Sequence, residues 1–302
     1  MLPTLQTKDL IYICAPAKAI DEESITYSKN YLESKGFQIV LGKHLFGKDL
    51  YFSGTVEERL EDLQHGLDHP TAKVILCARG GYGCIQLLEN LDWSKFEKNP
   101  KWIIGFSDIT VLHLALSQKG ISSLHASMPL NFKTNSTMAL ESMIHAISNN
   151  PCDILAPSHP LNQLGTSNNI IVGGNLAIIH AMLNFTDLSF FDNKILFIED
   201  VGEHLYQIDR MLYGLKFFGV FEKISGLMIG SFTSISDTEK PYGNTLEEII
   251  HSHIKNLEIP VGFGFPCGHQ DDNQAIIMGQ KCFFKVTNEG ATLTQQGQNS
   301  LS

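Results

Sequence analysis

The sequence has no apolar run long enough to cross a bilayer. Its early apolar stretch, residues 10–15 in "KDLIYICAPA", is too short for the core of a signal peptide, and no basic segment leads into a longer one. There is no C-x-x-C pair. The six cysteines (14, 77, 84, 152, 267 and 282) follow no framework spacing, and Cys14, Cys77 and Cys282 sit in strand-like apolar runs as small hydrophobes would. Positive charge is scarce. With 22 Lys+Arg against 32 Asp+Glu the net charge is −10, which disfavours nonspecific contact with nucleic acid or an anionic membrane surface. No internal repeat or low-complexity tract is present. These absences favour a chain of the reducing cytoplasm that binds neither nucleic acid nor membrane.

What remains is a chain of 302 residues, 43% apolar and 18% charged, enough for a packed core in one large or two ordinary domains. The first half alternates strand and helix signals. "LIYICAPA", "FQIVLG", "AKVILCARGGYG" and "KWIIGFSDIT" read as strands running into turns, with helical patterns between or after them. Thr55 and Glu58 open one helix as a capping box. Such alternation predicts a parallel, doubly wound sheet, with ligands at the carboxyl ends of its strands. Near residue 150 the character changes to an Asn-, Pro- and Ser-rich stretch read as a linker or crossover. Beyond it the pattern is mixed α/β, closing on a hairpin that turns at Glu289 and Gly290.

The chemistry gathers at turns after strands. In "GFSDIT" a strand breaks sharply into a helix at Ser107, either as an exposed nucleophile or as an ordinary N-cap. A nucleophilic serine needs a base, an orienting acid and donors for the oxyanion. Among 12 histidines, His269 stands out in the Gly/Pro-shaped loop "FGFPCGHQDDN". His125 is a site-wall candidate, His113 a core one, and His44, His251 and His253 read as surface residues. The strand "KILFIED" ends in Glu199 and Asp200, which alternation places on opposite faces. Asp200 suits an ion pair with Arg210 or a helix cap, and Glu199 suits that role less well. In "ARGGYG" the close glycines Gly80 and Gly81 let backbone amides approach a ligand, and Arg79 has either a substrate carboxylate or a structural acid as partner. The segment fits neither the P-loop nor the dinucleotide-binding spacing.

Seven ordered blocks resemble the LD-carboxypeptidases, a serine peptidase family that includes murein tetrapeptide carboxypeptidases and microcin C immunity peptidases: "APA" at 15–17, "YFSGTVEERLEDL" at 51–63, "ARGGYG" at 78–83, "GFSDIT" at 105–110, "GGNL" at 173–176, "FIEDVGE" with "IDRML" at 197–212, and "GHQDDN" at 268–273. The resemblance implies a catalytic triad of Ser107 (nucleophile), Glu199 (orienting acid) and His269 (base). It implies oxyanion donors from the backbone of Asp108 and of Gly80 or Gly81, with Arg79 on the substrate. It implies a flavodoxin-like N-terminal domain over 1–150, a linker over 151–168, and a smaller β-rich C-terminal domain over 169–302. It further implies a homodimer, no metal and no cofactor. The expected reaction releases a C-terminal D-amino acid, D-alanine, from murein tetrapeptide. The alternative is cleavage of a peptidyl-nucleotide amide, for which Tyr82, Trp102 and Phe106 are the candidate base-stacking rings. A third reading, a non-catalytic binding protein, has no reason to keep all three triad residues. "HASMP" at 125–129 and "NQAIIMGQ" at 273–280 depart from the family pattern without touching a triad position.

Overall fold

In a computed structural model, residues 2–297 are described, so Met1 and the final stretch 298–302 of the expected second domain lie outside the described residues. The chain divides into two compact units. The first comprises residues 2–151, Asp271–Ile277 and 296–297, and the second Cys152–Gln270 and Met278–Gln295.

The first unit runs β1 (Leu10–Cys14), α1 (Glu22–Ser34), β2 (Gln38–Leu41), α2 (Val56–Asp68), β3 (Ala72–Cys77), α3 (Ser94–Lys98), β4 (Trp102–Gly105), α4 (Thr110–Gln118), β5 (Ser123–His125) and α5 (Thr137–Ile147). β1, β3 and β4 are buried almost throughout, as strands covered on both faces must be. Parallel pairing gives the order β2-β1-β3-β4-β5. This is the flavodoxin-like order, whose switch point lies between β1 and β3. The turns after those two strands are "APAK" and "ARGGYG". The capping box is formed: Thr55 Oγ1 accepts from the Glu58 amide at 3.3 Å and Glu58 Oε2 from the Thr55 amide at 2.9 Å. The helix expected directly after the glycine turn is instead two 3₁₀ turns, Cys84–Gln86 and Leu88–Asn90, separated by Leu87. Among the described residues no helix is long and apolar enough to cross a membrane.

The second unit contains β6 (Ile154–Pro157), β7 (Gly165–Asn175), α6 (Leu176–Met182), β8 (Ile195–Val201), α7 (Leu205–Phe218), β9 (Gly226–Thr233), α8 (Leu246–Ile254) and β10 (Val261–Gly262), and after β11 (Ile276–Met278) it resumes with β12 (Lys281–Val286) and β13 (Gly290–Gln295). Its sheet has the order β10-β9-β8-β7-β12-β13-β6. β7 to β10 pair in parallel, and β7, β12, β13 and β6 pair antiparallel, the β12–β13 hairpin turning through Glu289 and Gly290.

Two boundaries differ from the sequence expectation. The stretch read as a linker over 151–168 contains β6 and the first residues of β7. β6 is only four residues long, lies at a sheet edge and ends in Pro157, so its alternation is too brief to register against the prolines around it. The segment Asp271–Ile277 returns to the first unit, where β11 becomes an edge strand beside β5. It is held there by the Ser136 amide donating to the Asp271 carbonyl (2.7 Å), the Ala275 amide donating to Ser142 Oγ (2.9 Å), and burial of Ala275 and Ile277 in the first core. A seven-residue return is invisible to a reading that assigns domains by contiguous stretches.

Candidate active site

In the first unit, β4 ends at Gly105, Phe106 is extended, and Ser107 takes a left-handed backbone at φ 64° before the 3₁₀ turn Ser107–Ile109 leads into α4. A non-glycine residue held in this region costs about 1–3 kcal/mol, strain that surrounding structure must sustain. Part of that structure is His113. Buried in the core, it is pushed down to about 4 by desolvation and is a neutral imidazole. Its Nε2–H donates to the Gly105 carbonyl at 2.9 Å, and its Nδ1 accepts from the Ser123 hydroxyl at 2.8 Å. Neither the 3₁₀ turn nor α4 starts with a side-chain cap hydrogen bond, so Ser107 does not serve as an N-cap. Its side chain is partly exposed.

The glycine turn stands against this serine. An ideal Cβ on Gly80 would lie 2.9 Å from Ser107 Cβ, 3.1 Å from its Oγ and 3.2 Å from the Asp108 amide nitrogen. Only glycine brings the backbone so close. Asp108 itself points away: its buried carboxylate, raised by desolvation, accepts from the Cys84 amide at 2.9 Å and ties the helix start to the far side of the turn. Arg79 is half-buried, and burial lowers its pKa against the opposing charges of Tyr51 and Asp21. Nη1 donates to the Ala19 carbonyl at 2.9 Å, and among the described residues Nε is buried without a partner and no carboxylate lies within ion-pair distance. The structural acid that sequence reasoning allowed for Arg79 is therefore not found. Of the candidate stacking rings, Tyr82 is 48% exposed, whereas Trp102 and Phe106 are buried. His125 is buried too, its ring 5.7 Å from that of Phe106.

The second unit brings together Glu199 and His269. Glu199 near the end of β8 is fully buried, and its Oε2 lies 2.7 Å from His269 Nδ1. The imidazole edge remains partly exposed. The His269 carbonyl accepts from Thr233 Oγ1 at 2.8 Å, which fixes the loop to β9. Gly268 at φ 116° completes the approach, since an ideal Cβ there would be 2.7 Å from Glu199 Oε2. A carboxylate on Nδ1 sets the tautomer and orientation of an imidazole and leaves Nε2 for proton transfer. Among the described residues no group of three or more His, Cys, Asp or Glu side chains is arranged to hold a metal ion.

Asp200 has a different role. Its Oδ1 accepts from Asn175 Nδ2 at 2.9 Å and the Val201 amide at 2.8 Å, and its Oδ2 from the Ala177 amide at 3.0 Å. It thus caps the preceding α6, rather than pairing with Arg210 or capping α7. His253, which reads as a surface residue, is buried with Nε2 2.7 Å from Asp209 Oδ1. A contact across 44 residues leaves no local trace in sequence.

Desolvation pushes Asp200 up to about 6. A carboxyl whose folded pKa is raised stabilises the fold when protonated, and that contribution is lost as pH rises from about 4 through about 6. The Asp200→Asn variant is thus expected to gain stability relative to wild type between pH 4 and pH 7, by on the order of 2–3 kcal/mol. His113 titrates in the opposite sense across the same window, so the difference between variant and wild type in urea unfolding is the informative quantity. A difference that does not change with pH would refute the assignment.

Residues 11–126 match the LD-carboxypeptidase N-terminal domain and residues 168–283 the LD-carboxypeptidase C-terminal domain. The murein tetrapeptide carboxypeptidase of Pseudomonas aeruginosa is 31% identical, covering 88% of this chain and 89% of its own. The microcin C7 self-immunity protein MccF of Escherichia coli is 26% identical, covering 93% and 91%. Among solved structures, the muramoyltetrapeptide carboxypeptidase from Oxalobacter formigenes superposes with a TM-score of 0.86 at 26% identity, covering 94% of this chain and 97% of that one.

Proposed function

The chain belongs to the LD-carboxypeptidase family and is a serine-type carboxypeptidase, and we propose that it releases the C-terminal D-alanine of murein tetrapeptide during recycling of cell-wall peptides. The amide to be cut joins an L centre to a terminal D-residue with a free carboxylate, and Arg79 takes that carboxylate. Ser107 Oγ attacks the carbonyl carbon while its proton passes to His269 Nε2, and Glu199 steadies the resulting imidazolium. The backbone amides of Asp108 and of Gly80 or Gly81 receive the oxyanion, each such donor contributing about 10²–10³ in rate. The C–N bond then breaks, and D-alanine leaves with the proton from His269. Water gives a proton to His269 and attacks the ester. The tripeptide carboxylate departs and Ser107 regains its hydrogen.

The observation that carries this reading is Ser107 strained into the left-handed region with Gly80 pressed against it. Strain of this kind gathers at functional turns. We place the reaction in the cytoplasm, in keeping with six unbridged cysteines, and in a homodimer, as the family resemblance implies.

The direct test is incubation with murein tetrapeptide, and in parallel with a peptidyl-nucleotide amide, followed by mass spectrometry. Tripeptide plus D-alanine supports the proposal. Cleavage of the nucleotide amide alone replaces it with the immunity-peptidase reading, and cleavage of neither overturns both. Gly80→Ala adds a geometric test. Its Cβ would overlap Ser107 Cβ, so kcat is expected to fall about 10²-fold through misplacement of the nucleophile, with the variant still folded. Unchanged turnover would remove the turn from the mechanism.

A further inference from the structure

A deeply buried cation of the first unit is not used by this mechanism. Arg59 on α2 is 2% exposed, and among the described residues no carboxylate lies within ion-pair distance of it. A guanidinium without a counter-charge is costly to bury unless its donors are otherwise satisfied. Here they go to backbone turns: Nε donates to the Gly54 carbonyl at 3.2 Å, and Nη1 to the Pro16 carbonyl at 2.9 Å and the Gly83 carbonyl at 3.1 Å. Nη2 donates to Gln86 Oε1 at 2.6 Å, and the guanidinium carbon stacks 4.6 Å from the Phe52 ring centroid. One side chain therefore joins the turn after β1, the entry to α2 and the glycine turn after β3.

The bond to Gly83 has a counterpart. The carbonyl of Gly83 and the amide of Cys84 belong to one peptide unit. Arg59 holds the carbonyl and Asp108 holds the amide at 2.9 Å. With that peptide fixed at both ends, the upstream residues Gly80 and Gly81 lose freedom to turn their amides away from Ser107. We propose that Arg59 is a positioning residue for the oxyanion-binding turn, acting through the peptide between Gly83 and Cys84. Lysine cannot replace it, because an ammonium has no planar fork to serve three turns at once.

This inference rests on the reading that Gly80 or Gly81 donates to the oxyanion, and the test separates the two. Arg59→Lys, Arg59→Met and Gln86→Ala are compared with wild type in D-alanine release from tetrapeptide, in thermal unfolding, and in amide hydrogen exchange over residues 80–84. For Arg59→Lys, kcat is expected to fall about 10²-fold with KM within about threefold, as for loss of an oxyanion donor. Exchange at 80–84 rises about tenfold or more in a protein that remains folded. Arg59→Met is expected to be worse than Arg59→Lys. Gln86→Ala, which frees one end of the guanidinium and leaves every backbone bond in place, moves both readouts the same way by a smaller factor. It decides the matter if the Arg59 variants do not fold. Unchanged exchange, or raised exchange with unchanged kcat, overturns the inference. A wild-type chain that leaves tetrapeptide intact overturns the proposed function instead, while exchange still decides whether Arg59 holds the turn.

Discussion

Ser107→Ala is expected to lower kcat for D-alanine release by at least about 10³-fold while shifting stability by no more than about 0.5 kcal/mol. The separation of the two effects follows from the local structure. The hydroxyl caps neither the 3₁₀ turn nor α4, so its removal strands no amide of either helix start. Alanine suffers the same left-handed backbone as serine and is no more strained. Ser107→Gly sharpens the test, because glycine relieves φ 64°. It should be as inactive as the alanine variant and about 1 kcal/mol more stable than wild type. Loss of function with gain of stability on removal of one small side chain is a signature a structural serine cannot produce. Steady-state turnover and urea unfolding on the three proteins check it, and near-normal turnover in Ser107→Ala moves the nucleophile elsewhere.

Glu199→Gln is expected to cost about 10³–10⁴-fold in kcat with KM little changed. The carboxylate is fully buried 2.7 Å from His269 Nδ1, so its charge acts on the imidazole through little intervening solvent. Glutamine preserves the volume but removes that charge and the demand for a donor at Nδ1. The imidazole can then adopt the tautomer that cannot accept from serine. Glutamine keeps the shape, its Oε1 can still accept from Nδ1–H, and the His269 ring is partly exposed, so no charge is left buried and unpaired and the variant should fold. The measurement is kcat and KM by D-alanine release alongside circular dichroism. A folded Glu199→Gln with wild-type kcat would reduce the pair to a structural contact.

The alternation of strand and helix makes the first unit's fold legible because its central strands β1, β3 and β4 are buried almost throughout while α1 and α2 bury a helical stripe, so hydrophobic period and element coincide there. The triad candidates were legible for a related reason: Ser107 and His269 lie at glycine-shaped turns after apolar segments, and Glu199 ends one. The distinction between Glu199 and Asp200 was visible as alternation, but two of the three partners of Asp200, Asn175 on β7 and Ala177 in α6, lie 25 and 23 residues upstream. Arg59 was hidden more completely. In "VEERLEDL" it reads as one more charge on an amphipathic helix, and only the tertiary placement of three turns around it reveals a buried hub. The return of Asp271–Ile277 to the first sheet was likewise set by packing of Ala275 and Ile277, not by any local signal.

The proposed mechanism needs a nucleophile at one position, and covalent labelling reads that position directly. A fluorophosphonate reacts with an activated serine by forming a Ser Oγ–phosphorus bond and releasing fluoride with the hydroxyl proton. After treatment of the wild-type chain and digestion, peptide mass spectrometry should place the adduct on Ser107, with labelling lost in Ser107→Ala and slowed in Glu199→Gln. An adduct on another residue, or equal labelling of wild type and Ser107→Ala, would contradict the account.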